Sequence, residues 1–410
     1  MNLAILGGSK LVTRPLGKTW PIWDEREEKA LLETLHSGIW WRGGAKDLAK
    51  GQVARFEDGF LKFQGGKHCV CVTNGTQAIE AALKALGIGR GDEVLVPALT
   101  FVASATAIAL VNATPVFVDV DPETYAISVD AMEAAITPKT RAAVVVHVGG
   151  YPPDMDRVLE LAKKHDLKIV EDSAHAHGTQ WRGKGVGTLG DFGTFSFQMG
   201  KALTAGEGGA IITGDDTLAE LAYSYHHIGR VPGRPFYEFH RLASNLRMTE
   251  WQGAILRCQL ERLPEQTARR EKNAGHLARG LRDIPGLDPI DRDPRVTRWG
   301  FYFWDFHYRK EEFENIPRSV FIKAAAAEGL SVSVGAHGGC IYKNPVFQNV
   351  TGEMPDYTKV HCPDAERVST EQALSLTHRL FLGETDDMDL MLEVFRKLRD
   401  NVDELRTVEA

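Results

Sequence analysis

The chain has 410 residues, of which 43% are hydrophobic, 25% charged and 9% aromatic, enough for one large globular domain and a smaller one. Its net charge of −7 is the balance of 48 basic and 55 acidic residues that are interspersed, so no basic stripe points to nucleic acid or an anionic membrane. No apolar run reaches the roughly 20 residues of a membrane span, and residues 1–8 lack the basic lead and apolar core of an export signal, so a cytoplasmic enzyme is expected.

The first 60 residues carry no strand pattern but hold Trp20, Trp23, Trp40 and Trp41, and are expected to pack against a second domain or over a site. From there to about residue 225, apolar runs alternate with helical patterns. Strands are predicted over 69–73, 94–97, 115–120, 142–147 and 168–171, with helices over 76–87, 103–111, 129–136 and 156–165 between them. Two further strands, 193–197 and 209–213, read as a pair. Strands that are apolar throughout and separated by helices predict a mostly parallel sheet covered on both faces, whose ligands gather at the carboxyl ends of the strands. Beyond 230 the texture changes: 231–235 is a loop, 248–263 a helix, 266–281 a second, charged helix, and 322–329 a further one. The expected division is therefore 1–265, an N-terminal segment plus the large domain, and 266–410, a smaller α+β domain. Cys69 and Cys71 alternate within a strand-like run and read as buried and reduced, since no second close pair completes four zinc ligands.

Six candidates carry chemistry. Lys201 follows a strand and sits among Gly200, Gly206, Gly208 and Gly209, where an amine could form an imine or simply be exposed in a turn. Asp172 closes the apolar run Ile169-Val-Glu-Asp, and a carboxylate there is either solvated or facing a cation. An amine for an aldehyde and an anion for a pyridine nitrogen are the two groups that pyridoxal phosphate chemistry requires. In Thr73-Asn-Gly-Thr-Gln the amides of Gly75 and Thr76 could hold a phosphate at a helix start, or Asn74 could merely cap it. Phe101 lies past a strand end, placed for ring stacking or for core packing, and Ser196 could face a phosphate or cap a strand edge. His175 and His177 form an H-x-H pair that raises a metal hydrolase as a rival. The glycine-rich 181–187 stretch opens no helix and reads as a hairpin turn.

Together, Thr73-Asn-Gly-Thr, Glu171-Asp-Ser-Ala-His-Ala-His-Gly, Phe195-Ser-Phe-Gln-Met-Gly-Lys and Ser244-Asn-Leu-Arg-Met resemble the DegT/StrS family of pyridoxal-phosphate-dependent sugar aminotransferases, over most of residues 20–275. The resemblance implies the type I, aspartate-aminotransferase-like α/β fold, with a mostly parallel central sheet and a smaller C-terminal α+β domain. It implies Lys201 as the Schiff-base lysine, Asp172 on the pyridine nitrogen, Phe101 stacked on the ring, and Gly75, Thr76 and Ser196 on the phosphate. His175 would stand near the phenolic oxygen, where the family more often has glutamine. Asn245 would reach the phosphate of a neighbouring subunit, which implies a homodimer with shared sites, and the lysine argues against the family's histidine-bearing dehydratases.

The reaction implied is a two-stage transfer of an amino group from glutamine or glutamate to a keto-sugar, sugar nucleotide or ketocyclitol in amino-sugar or secondary-metabolite biosynthesis. Segments 147–156 and 335–342 depart from the sugar-nucleotide pattern, whereas 38–42, 176–178, 341–342 and 376–380 look similar to 3-amino-5-hydroxybenzoate synthase and cyclitol aminotransferases. Trp40, Trp41, Arg42 and Tyr342 are the substrate-pocket candidates on that resemblance, with packing as the other reading of the first three. An aromatising dehydratase and a non-catalytic cofactor-binding sensor are the remaining alternatives, and no resident metal is expected.

Overall fold

The computed structural model describes residues 2–43, 50–349 and 354–409. Helices α1 (Glu25–Ser37) and α2 (Gln52–Gln64) precede an alternating series: β1 (His68–Val72), α3 (Gly75–Ala85), β2 (Glu93–Pro97), α4 (Ala103–Leu110), β3 (Thr114–Val118), α5 (Val129–Ala134), β4 (Thr140–Val146), α6 (Met155–His165) and β5 (Lys168–Asp172). A short hairpin, β6 (Gln180–Trp181) and β7 (Lys184–Gly185), leads into β8 (Phe192–Ser196), β9 (Gly209–Thr213) and α7 (Asp216–His226). The 181–187 stretch thus makes the expected hairpin.

The seven strands order as β1-β9-β8-β5-β4-β2-β3. Pairings among β8, β5, β4, β2 and β3 are parallel, and β9 runs antiparallel to both β1 and β8. The Val-rich and Ile-rich strands are buried on both faces because α3 packs across β8 and β9 while α6 lies on β5. Register sets Val146, Asp172 and Thr194 abreast, so the carboxyl ends of three strands share one edge.

Helix α8 (Glu250–Leu281) runs unbroken through Pro264, where the sequence predicts two helices meeting at a boundary. Proline costs a helical hydrogen bond, but packing on α1, α2 and the helix Thr385–Asp400 holds both halves in one axis. After it come β10 (Leu287–Pro289), β11 (Val296–Arg298), β12 (Phe303–Tyr308), α9 (Arg318–Ala327), β13 (Ser333–Val334) and β14 (Ala373–Thr377). They build an antiparallel sheet ordered β10-β12-β14-β13, while β11 pairs with the β6–β7 hairpin. The first residues dock on this C-terminal part: the Leu3 amide donates to Glu404 at 2.8 Å and the Ala4 amide to Glu328, itself paired with Lys397 at 2.7 Å. Among the described residues no helix is long and apolar enough to cross a membrane.

Candidate active site

The aligned strand ends open onto a cavity of about 780 Å³ whose wall contains Gly75, Thr76, Phe101, Asp172, His175, Ser196 and Lys201. Asp172 is 7% exposed, which removes the solvated-loop reading. Its carboxylate accepts from Ser104 Oγ of α4 at 2.8 Å and from the Ala174 amide at 3.2 Å, and no cationic side chain pairs with it among the described residues. It is therefore a buried anion held by neutral donors, an arrangement that favours a cation arriving from the cavity.

Lys201 sits in the turn after β8. Its amide donates to Gln198 O at 2.9 Å, and the Gly200 amide donates to Gln198 Oε1 at 2.8 Å. The ammonium stands 4.2 Å from the centre of the Tyr302 ring and has no carboxylate ion pair among the described residues. Desolvation pulls its pKa down from 10.5 to about 8, against the opposing attraction of Asp172. The half-buried amine therefore stays mostly protonated near physiological pH but carries a neutral minority far larger than that of a lysine exposed in a turn.

Both readings of the Thr73–Gln77 turn hold at once. Asn74 Oδ1 caps α3 by accepting the Gln77 amide at 2.9 Å, while the amides of Gly75 and Thr76, in the helix's first turn, have no intrahelical acceptor and border the cavity. A Cβ on Gly75 would lie 2.8 Å from the Ser196 Cβ, so only glycine lets this turn approach the strand end. Phe101 stands on the rim, 55% exposed, with its ring 5.8 Å from His337, and is not core-packed.

The two histidines of the H-x-H pair face different surroundings. His175 lines the cavity, stacks on Tyr302 at 4.9 Å, and has its Nε2 3.2 Å from His337 Nε2; its Nδ1 is buried without a partner. Burial, then the charges of Lys201 and His337, hold it well below the usual histidine range, so it is neutral. His177 lies among Phe60, Phe195 and Phe197 with both ring nitrogens unpartnered, and burial pushes it down to about 3. Among the described residues no group of three or more His, Cys, Asp or Glu side chains gathers to hold a metal.

Four expected substrate residues and Asn245 lie outside this wall. Arg42 is bonded to Glu57, which also accepts the Cys71 amide, so its guanidinium neutralises a buried carboxylate. Trp40 leans on Trp251, and Trp41 bridges Thr249 under the Arg247 guanidinium. Tyr342 is buried against Phe117 with its hydroxyl on Glu366, so packing, not substrate access, accounts for its position. Asn245 is exposed; its backbone bridges His227, and the carbonyl of the next residue, Leu246, accepts the Thr73 amide at 2.9 Å. Conversely, sequence reasoning passed over Ser104, Tyr302 and His337. Ser104 is one helical turn from Phe101, a usable signal, and His337 lies in the atypical 335–342 segment, whereas Tyr302 comes from the edge of the second sheet with no local pattern to mark it.

The mostly parallel α/β sheet with its antiparallel companion has the architecture of the type I aminotransferases, and Lys201 and the buried Asp172 stand at its carboxyl edge. The chain belongs to the DegT/DnrJ/EryC1/StrS aminotransferase family, whose model matches residues 21–393, in agreement with the resemblance carried by its motifs. It is 37% identical to the L-glutamine:2-deoxy-scyllo-inosose aminotransferase of Micromonospora echinospora, covering 98% of this chain and 99% of that one. It is 36% identical to the L-glutamine:scyllo-inosose aminotransferase of Streptomyces griseus, covering 98% and 99%. Among solved structures, that of 3-amino-5-hydroxybenzoic acid synthase superposes with a TM-score of 0.84 at 34% identity, covering 96% of this chain and all of that one.

Proposed function

We propose that this aminotransferase binds pyridoxal 5'-phosphate in the 780 Å³ cavity and moves an amino group from glutamine to a ketocyclitol or related keto-sugar. The observation that carries the reading is the pair at its centre: a partly neutral amine, Lys201, beside a buried anion, Asp172, each without an ion-pair partner among the described residues. The residues fit the cofactor. Two helix-start amides and the Ser196 hydroxyl suit a phosphate, Asp172 suits a protonated ring nitrogen, and the orphaned Nδ1 of His175 is a polar atom left for a ligand. When bound, the cofactor supplies an electron sink for the carbon that bears the amino group.

The chain's own groups do the rest. Ser104 and the Ala174 amide hold the Asp172 carboxylate in place. The lowered pKa of Lys201 lets it act first as the attaching amine and then as the base that moves a proton at the substrate carbon. Tyr302 and His337, from the side of the second sheet, face His175 and the rim residue Phe101 across the cavity mouth. The names of the inosose aminotransferase relatives support glutamine as donor and a cyclitol ketone as acceptor.

Asn245, exposed and not part of its own cavity's wall, supports a homodimer in which each chain completes its partner's phosphate site, and five unpaired cysteines support a cytoplasmic setting. We also retain the division into 1–265 and 266–410 as a proposal, with α8 as the shared spine. Lys201→Ala tests the assignment: turnover should fall by about 10³-fold or more and the lysine-dependent visible absorbance should vanish. Retention of both would overturn it, and gain of aromatic absorbance in the product would favour the aromatising dehydratase.

A further inference from the structure

Outside the cavity, one buried charge takes no part in the proposed chemistry. Arg270 of α8 is 1% exposed, yet no carboxylate pairs with it among the described residues, and its Nε has no partner. Desolvation alone brings its pKa down to about 9. Burying a guanidinium without an anion costs several kcal/mol, so the contacts it does make define its purpose. It faces the Trp20 ring at 5.6 Å and bonds His378 Nδ1 at 3.1 Å.

His378, after β14, is equally buried and is clamped edge-on by Trp20 at 4.6 Å, whose indole N–H is fixed on Met199 O at 2.9 Å. A guanidinium only donates, so His378 Nδ1 must accept. The one remaining proton of the neutral ring is then on Nε2, which lies 3.0 Å from Gly200 O. Gly200 O belongs to the peptide group whose N–H is that of Lys201, and that N–H is bonded to Gln198 O at 2.9 Å. Both polar atoms of the peptide that carries Lys201 are therefore tied.

We propose that Arg270 and His378 form a positioning relay for Lys201: Arg270 fixes the imidazole in its Nε2–H tautomer, and that proton orients the Gly200–Lys201 peptide and with it the amine. The loop bearing His378 is itself held from α8, where Asn273, one turn beyond Arg270, donates to Phe381 O at 2.9 Å and Gly383 O at 3.0 Å. Burial and the neighbouring guanidinium both keep His378 from taking a second proton. The functional consequence rests on Lys201 being the reacting amine; the tautomer does not.

The test has two arms. Long-range ¹⁵N–¹H NMR of histidine-labelled protein should show His378 as the Nε2–H tautomer, and Arg270→Met should convert it to a mixture; an Nδ1–H ring in the unaltered protein overturns the relay. In kinetics, His378→Phe and Arg270→Met should lower kcat by about 10- to 100-fold with KM changed little, as expected for a misplaced reacting group. His378→Gln, whose amide N–H can still reach Gly200 O, and Arg270→Lys should recover most of kcat. Equal losses in His378→Phe and His378→Gln would show that the hydrogen bond is not what matters and would also overturn it. Because the NMR arm requires no turnover, its failure is distinguishable from failure of the Lys201 assignment.

Discussion

The two walls of the cavity come from differently built parts of the chain. The wall made by the seven-stranded sheet places Asp172, Ser196 and Lys201 at strand ends that sit abreast by parallel register. The facing wall, made by the antiparallel sheet and its loops, contributes Tyr302 and His337, and His378 behind the turn, each from a different connection. The first wall follows from a repeated local unit; the second depends on pairings between β12 and β14, some seventy residues apart. Chemistry is concentrated on the first wall and its adjustment on the second.

Substitutions on the first wall should therefore cost most. Asp172→Asn keeps the Ser104 contact but removes the anion, and should lower turnover by about 10²- to 10³-fold at unchanged Tm; a loss below tenfold would detach the carboxylate from the chemistry. Gly75→Ala forces a Cβ to within 2.8 Å of Ser196 and should cost about 1–3 kcal/mol by denaturant unfolding, together with weaker cofactor retention. On the boundary between the walls, His175→Phe should reduce turnover, whereas His177→Leu, which removes two unpartnered nitrogens from an aromatic core, should leave turnover intact and Tm equal or higher. Reversal of that pair would exchange their roles.

The effect most remote from turnover is on the pH dependence of stability and follows from the lysine's lowered pKa. The unfolded chain binds a proton at Lys201 up to about pH 10.5, the folded chain only to about pH 8, so folding stability rises with pH between those values. Lys201→Met should consequently raise Tm at pH 7, with the gain shrinking as pH climbs from 8 to 10.5. A gain independent of pH would mean that the amine is not desolvated.

The sequence was readable where structure is local. The alternation of apolar strands and helices predicts the sheet, and the spacing of Asp172, Ser196 and Lys201 places them together because each directly ends or follows a strand. Pro264 misled because helix-breaking is a local rule, and the packing of α8 on helices from both ends of the chain overrides it. Arg42 and Tyr342 are pocket candidates only through the resemblance of 38–42 and 341–342 to cyclitol aminotransferases, and nothing adjacent in sequence reveals Glu57 or Glu366, the carboxylates that engage them here. Tyr302 escaped because its place in the cavity is set by tertiary pairing alone, and the same pairing turns the atypical 335–342 segment into a cavity wall at His337.

The central claim is that Lys201 is the amine that attaches the cofactor. Borohydride reduction of the protein loaded with pyridoxal phosphate, followed by peptide mass mapping, tests it directly. The modification should be found on the peptide containing Lys201; its appearance on another lysine, or on none, would contradict the account.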